Sequence, residues 1–167
     1  FIQHASQVGI DVGNATNGWE WEPNKIDQVL PFLTWVRFTV AAGTPEGYAK
    51  IMFKSAEHTE VFDRAMSHIK YAVDLKKKLN LKVTLGIQMV LMPEFKDEII
   101  PFAKLAVELG VDYGVINTHL PDYNESFIRK LTKTKQKFLG MGKSNVFTNS
   151  GVHAIESILK HKPKTLF

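Results

Sequence analysis

The sequence contains no cysteine among its 167 residues. Disulfide bonds, cysteine nucleophiles, thiolate zinc sites and iron–sulfur clusters held by the chain's own cysteines are therefore excluded. No apolar run reaches the roughly 18 residues that a membrane helix needs, and no signal-peptide pattern opens the chain. These absences predict a cytoplasmic protein with no membrane partner.

The apolar and charged contents of the chain are ordinary. Apolar residues make up 44% and charged residues 23% of the chain, values typical of a soluble domain with a real core. The sequence begins at Phe1 rather than at methionine, which favours a chain cut from something longer.

Charge is divided unevenly along the chain. Residues 1–117 carry 12 Lys and Arg against 14 Asp and Glu, a net charge of −2. Residues 118–167 carry 9 against 3, a net charge of +6. We therefore expect two parts, and the basic tail could favour a polyanion such as RNA.

Strand-like and helix-like segments alternate in the first part. Apolar or β-branched stretches predict strands at 9–16, 34–42, 81–92 and 111–116. Amphipathic spacing predicts helices at 23–33, 62–77 and 97–110, and 43–50 reads as a loop. The expected fold class is α/β, with parallel strand–helix repeats that form either an open sheet or about half of a TIM-type barrel. Residues 118–167 would be a basic, mostly helical tail.

Polar residues at strand ends are the candidate functional residues, because ligands of parallel α/β proteins bind at the carboxyl ends of the strands. Arg37 and Thr39 are two residues apart and share one side of their strand. A buried arginine needs a partner, so Arg37 contacts either an anionic ligand, a catalytic carboxylate or a structural ion pair. Gln88 is the one hydrogen-bonding side chain in its apolar stretch and either contacts a ligand or is satisfied by backbone.

The stretch TNGWEWEP follows the first predicted strand. Asn17 serves the turn, since Asn–Gly accepts left-handed geometry, or contacts a ligand. Trp19 and Trp21 more often pack against a helix layer or an interface than serve as stacking platforms.

Several motifs fail on inspection. LGMGKS lacks the first glycine of a phosphate-binding loop, because Lys137 stands in its place. The histidines have no metal-ligand spacing, since His153 and His161 are eight residues apart and His119 lies in a predicted loop. We therefore expect no metal ligands in this chain.

Four pieces in order match one known family. They are TNG after the first strand, WVRFTVAAGTPEGYAKI at the second, VTLGIQMVLMPE at the third and LAVELGVDYGVI at the fourth. The chain resembles the radical S-adenosylmethionine superfamily over about residues 9–117, in the middle and later strands of its partial (β/α)6 barrel.

The resemblance implies that the strand ends bind S-adenosylmethionine. Asn17 would sit at the ligand-facing end of its strand. Arg37 and Thr39 would face the carboxylate and the ribose, Gln88 would line the ribose side, and Ile116 would lie near the adenine. The protein would supply binding and electrostatics, and the cofactors would supply the radical chemistry.

The family's CxxxCxxC loop is missing from this sequence. The 4Fe-4S cluster is therefore expected only from residues absent from this chain, and the chain alone would be inactive. The missing loop favours a fragment of a longer radical enzyme, whose substrate is unknown, over a degenerate, inactive relative. Its partner would be the missing amino-terminal part of the barrel or another subunit.

Two other functions stay open. The chain could belong to a different α/β-barrel enzyme that uses Arg37, Gln88 and His119 on an anionic substrate. It could also be a non-catalytic module whose tail binds RNA or an acidic partner. In that case, neutralising the tail lysines Lys130, Lys133, Lys135 and Lys137 should abolish salt-sensitive binding.

Overall fold

A computed structural model of the chain describes residues 1–118. Its elements in chain order are α1 (Ile2–Gln7), β1 (Gly13–Thr16), α2 (Pro23–Val29), β2 (Trp35–Thr39), α3 (Pro45–Phe53), α4 (Glu60–Lys78), β3 (Thr84–Leu91), α5 (Ile99–Leu109) and β4 (Tyr113–Thr118). Short 3₁₀ turns at Leu30–Phe32 and Pro93–Glu98 precede β2 and α5. Residues 119–167, and with them almost all of the predicted tail, lie outside the described residues.

The four strands form one all-parallel sheet in the order β1-β2-β3-β4. Right-handed connections between neighbouring parallel strands place the intervening helices on the same face when the strand order never reverses. The predicted α/β class and the parallel strand–helix alternation are confirmed. Four strands do not close a barrel, so the partial-barrel expectation stays a prediction.

The two faces of the sheet differ in composition and exposure. The helix face carries the alternate residues that join the core with the helices: Val36, Phe38, Leu85, Ile87 and Met89. The open face carries the residues between them, including Ala15, Trp35, Arg37, Thr39, Gln88 and Tyr113. This alternation follows from the period of two along a strand.

Helix α4 forms as its spacing predicts. Its buried residues include Phe62, Met66, Ile69 and Val73, which recur on one helical side. Three lysines occupy its last turn, where the helix dipole favours cations. The predicted helix before β4 is also present and ends at Gly110, whose φ of 73° is left-handed.

The predicted loop at 43–50 is wrong for most of its length. Helix α3 begins at Pro45, which suits the first helical position because proline lacks an amide hydrogen. Thr44 caps this helix, since its Oγ1 accepts a hydrogen bond from the Gly47 amide at 3.0 Å. Gly43 and Pro45 are typical of loops, but here they stand at the start of a helix.

No helix within residues 1–118 combines the length and the apolar character needed to cross a membrane.

Candidate functional site on the open face

Within residues 1–118, Arg37 and Gln88 each have one buried polar atom without a hydrogen-bond partner. They lie on adjacent strands of the open face, Arg37 opposite Gly86 and Gln88 opposite Thr39. Arg37 Nε and Gln88 Oε1 are both buried, and neither has a hydrogen-bond partner among the described residues. A buried donor and a buried acceptor without partners each cost free energy. The open face therefore contains one donor and one acceptor that the described residues leave unsatisfied.

Aromatic rings flank the arginine. The guanidinium carbon of Arg37 lies 5.8 Å from the centre of the Trp35 ring, within range of a cation–π interaction. Trp35 lies against Gly13, where a Cβ atom would collide with the indole. Tyr113 lies against Gly86 in the same way. Large side chains thus extend over glycines of the neighbouring strands.

The electrostatics of Tyr113 report on this environment. Burial raises the pKa of Tyr113 above its usual value of 10.0, while the nearby positive charge of Arg37 lowers it and Asp112 raises it. Arg37 and Tyr113 lie on the same face of the sheet, on either side of Gly86.

Thr39 shares the open face with the pair and is exposed. It pairs in register with Gln88, which in turn pairs with Val115. Thr39 and Gln88 therefore lie side by side at the carboxyl end of β2, one row beyond Arg37. The structure thus brings three of the five predicted site residues together.

Asn17 lies just past the end of β1, where it shapes the turn. Its Oδ1 accepts a hydrogen bond from the Trp19 amide at 3.1 Å, and Thr16 Oγ1 accepts one from the Gly18 amide at 3.2 Å. Gly18 has a left-handed φ of 77°, which favours glycine. The amide oxygen of Asn17 is thus engaged in the turn.

Ile116 does not join the group. It pairs in register with Met89, a buried residue of the helix face, and packs against the core. Residues opposite each other in a parallel pair point to the same side. Ile116 therefore lies on the face opposite to Arg37 and Gln88, which the sequence pattern of β4 did not reveal.

The two tryptophans of the TNGWEWEP stretch have structural roles. Trp21 is 9% exposed and meets Phe38 edge to face at 5.4 Å between ring centres. Trp19 lies beneath Arg64, whose guanidinium carbon is 4.5 Å from the ring centre. Both tryptophans therefore pack against other side chains of the described chain, in agreement with the prediction that they are packing residues.

Buried His68 anchors the same turn from helix α4. Its Nδ1 lies 2.8 Å from the carbonyl oxygen of Gly18, and because a carbonyl only accepts, His68 Nδ1 donates. This histidine lies on the apolar side of α4, a position that indicates a structural role in the sequence itself. Within residues 1–118, His, Asp and Glu side chains form no group of three that could hold a metal ion; His119, His153 and His161 lie outside that range.

Comparison with known proteins found no match, either among protein-family models or among curated proteins. The chemistry of the site must therefore be argued from its own residues. A guanidinium with a free Nε–H suits a carboxylate or phosphate, and the Gln88 oxygen suits a hydroxyl or ammonium group. The arrangement can bind and orient a ligand that carries both.

Proposed function

We propose that this chain forms the S-adenosylmethionine-binding wall of a radical S-adenosylmethionine enzyme. The observation that carries the proposal is the pair of buried, unpartnered atoms, Arg37 Nε and Gln88 Oε1, on adjacent strands of the open face. S-adenosylmethionine carries a carboxylate for Arg37 and ribose hydroxyls for Gln88, with Thr39 beside it. These residues fit the ligand that the sequence resemblance implies.

The alternation of large and small side chains across the open face supports a barrel wall. In a closed (β/α) barrel, alternate strands supply the large side chains of each interior layer. One row of the open face runs across the sheet as Ala15, Arg37, Gly86 and Tyr113. Strands β2 and β4 give the large residues of this row, and β1 and β3 give the small ones. We therefore propose that the sheet is about half of a partial TIM-type barrel, with its open face inward.

Not every residue of the sequence-based site enters the proposal. Ile116 faces the helix layer, so we leave its adenine contact out. The Oδ1 atom of Asn17 is engaged in the turn, and a contact of its Nδ2 hydrogens with the ligand stays a prediction.

The chain has no cysteine, so its own residues do not fit a 4Fe-4S cluster. A cluster held by cysteines elsewhere would supply the electron for reductive cleavage of S-adenosylmethionine. The part of this chain is to bind and orient that molecule through Arg37, Thr39 and Gln88. The cysteines would come from the missing amino-terminal part of the barrel or from another subunit.

A second candidate is a different α/β-barrel enzyme that acts on an anionic substrate. The same free Nε–H of Arg37 favours it, because a guanidinium binds phosphate as well as carboxylate. This candidate needs neither an iron–sulfur cluster nor S-adenosylmethionine. The two proposals therefore differ in the ligand that occupies the open face.

Titration calorimetry on the full chain tests the proposal. We expect S-adenosylmethionine to bind, and binding to weaken in Arg37→Met and Gln88→Leu. The control is Lys82→Met, which removes an exposed positive charge just before β3 and should leave binding unchanged. Binding of inorganic phosphate without binding of S-adenosylmethionine would favour the second candidate.

The assignment to radical enzymes has its own test. The reading frame upstream of Phe1 should encode CxxxCxxC. After anaerobic reconstitution with iron and sulfide, the encoded protein should form 5′-deoxyadenosine from S-adenosylmethionine in the presence of a reductant such as dithionite. An upstream sequence without that motif, or a reconstituted protein that forms no 5′-deoxyadenosine, would refute the assignment.

A further inference from the structure

A single carboxylate joins the connections that follow two neighbouring strands. Glu98 Oε2 accepts hydrogen bonds from the amides of Gly43 and Thr44 at 2.9 and 3.0 Å. Glu98 Oε1 accepts a third from the hydroxyl of Thr44 at 2.8 Å. Glu98 ends the 3₁₀ turn after β3, whereas Gly43 and Thr44 follow β2. The hydrogen bond between Gly43 and Glu98 therefore joins residues that are 55 positions apart in the sequence.

The surroundings leave room for this carboxylate and little else. A Cβ atom at Gly47 would collide with the Glu98 carboxyl group, and one at Gly43 would collide with the backbone of Phe102. Two glycines thus allow the close approach of the β2–α3 connection to the segment before α5. The negative charge also lies at the amino terminus of α3, where the helix dipole stabilises it.

Both connections leave the carboxyl edge of the sheet, beside the proposed site. The Val40 amide donates to the carbonyl oxygen of Gln88 at 2.8 Å and extends the pairing of β2 with β3 past Thr39. The hydrogen bonds at Gly43 and Thr44 restrict the backbone shortly after β2 ends at Thr39, and they tie it to the far end of the 3₁₀ turn that follows β3. Movement of one connection relative to the other would shift Thr39 relative to Gln88.

We infer that Glu98 is a positioning residue: it fixes the β2–α3 connection against the segment after β3 and so holds Thr39 and Gln88 in place to bind the ligand. The inference rests on the proposed function, because it assigns the ligand of that same site. Hydrogen bonds to a charged acceptor are stronger than neutral ones, and the supporting residues of a site decide how precisely it is held.

Three variants of the full chain separate positioning from simple stability. Glu98→Ala removes all three hydrogen bonds. Glu98→Gln keeps them in altered form, because the amide oxygen can accept from both backbone amides and the amide nitrogen can donate to Thr44 Oγ1. Glu94→Ala removes an exposed carboxylate of the same 3₁₀ turn and is the matched control.

The first readout needs no ligand. Hydrogen exchange at the Gly43 and Thr44 amides should accelerate about tenfold or more in Glu98→Ala, since each amide loses its acceptor. It should stay near the wild-type rate in Glu98→Gln and Glu94→Ala. Unchanged exchange in Glu98→Ala would refute the bridging role.

The second readout is the Kd for S-adenosylmethionine, measured with the urea midpoint of each variant. We expect the Kd to rise about tenfold in Glu98→Ala and to recover in Glu98→Gln. Faster exchange with an unchanged Kd would reduce Glu98 to a stability residue and overturn the inference. If the wild-type chain does not bind S-adenosylmethionine, the proposed function fails and the ligand-positioning role fails with it, whereas the exchange result still decides the bridging role.

Discussion

The two faces of one sheet follow different rules in this chain. On β2, Phe38 of the helix face is fully buried, whereas Trp35 of the open face is 39% exposed. The helix face is apolar throughout β2 and β3. The open face mixes glycine, aromatic, polar and charged side chains, and two of its polar atoms are buried without partners.

The difference shows which face the described chain completes by itself. Parallel sheets are normally covered on both faces, and here the helix face is covered by the chain's own helices. The open face instead presents a donor and an acceptor that need partners. If the helix face determines stability, changes that disturb its packing should cost more free energy of unfolding than changes on the open face.

The largest effect should come from deleting a ring on the helix face. Phe38→Ala should lower the free energy of unfolding by about 3–5 kcal/mol, because it removes a buried ring that contacts Trp21. Trp35→Ala on the open face should cost only about 1–2 kcal/mol, since less buried surface is lost. Urea denaturation followed by circular dichroism measures both. Equal losses would mean that the two faces are equally buried.

Glycine-to-alanine substitutions should also distinguish the tightly packed helix layer from the open face, with smaller losses of stability. Gly43→Ala places a Cβ atom against the backbone of Phe102 and should destabilise by about 1–3 kcal/mol. Gly86→Ala places one against the ring of Tyr113, a side chain on the open face that can rotate, so the loss should be smaller. Thermal denaturation compares the pair, and a larger loss in Gly86→Ala would contradict this view of the open face.

Removing the arginine whose Nε lacks an acceptor among the described residues should leave stability almost unchanged. Arg37→Met keeps an apolar stem, removes a buried donor without an acceptor, and should change the free energy of unfolding by less than about 1 kcal/mol in either direction. Lys76→Met provides the contrast, because Lys76 Nζ donates to Asp112 Oδ1 at 2.6 Å. That variant should lose about 1 kcal/mol, a modest value because Asp112 is partly exposed. A clear loss in Arg37→Met would indicate that the arginine has a structural partner.

The smallest effect concerns alkaline pH. Burial raises the pKa of Tyr48, a buried residue of helix α3, and of Tyr113 on the open face. The unfolded chain releases these protons first, so the contribution of the two tyrosines to stability is constant below the usual value of 10.0 and falls as pH rises above it. Denaturation midpoints should fall less steeply above that pH in Tyr48→Phe and in Tyr113→Phe. An identical slope in both variants and the wild type would contradict the assignment.

Much of the helix face could be predicted from the sequence. The spacing of Phe62, Met66 and Ile69 specifies one side of a helix, and alternating apolar residues specify buried strands. The placement of Arg37 and Thr39 on the same side of β2 follows from the two-residue period of a strand alone. Such local periodicities need no knowledge of the neighbouring elements.

Features that depend on register could not be predicted in this way. Ile116 lies on the helix face because it pairs with Met89, and its own strand has too little alternation to show this. The bridge from Glu98 to Gly43 joins residues far apart in sequence. Helix α3 does not follow from the sequence pattern, because Thr44 and Pro45 are typical of loops as well as of the capped helix start that the Gly47 amide completes.

The indole N–H resonances of the three tryptophans give the most direct test of the central claim, that the open face binds the ligand. Trp35 lies beside Arg37 on that face, whereas Trp21 packs against Phe38 on the other. On titration with S-adenosylmethionine, the Trp35 indole and the Arg37 Nε–H resonances should shift together while the Trp21 resonance stays in place. Shifts at Trp21 without shifts at Trp35 and Arg37, or no shifts at all, would contradict the account.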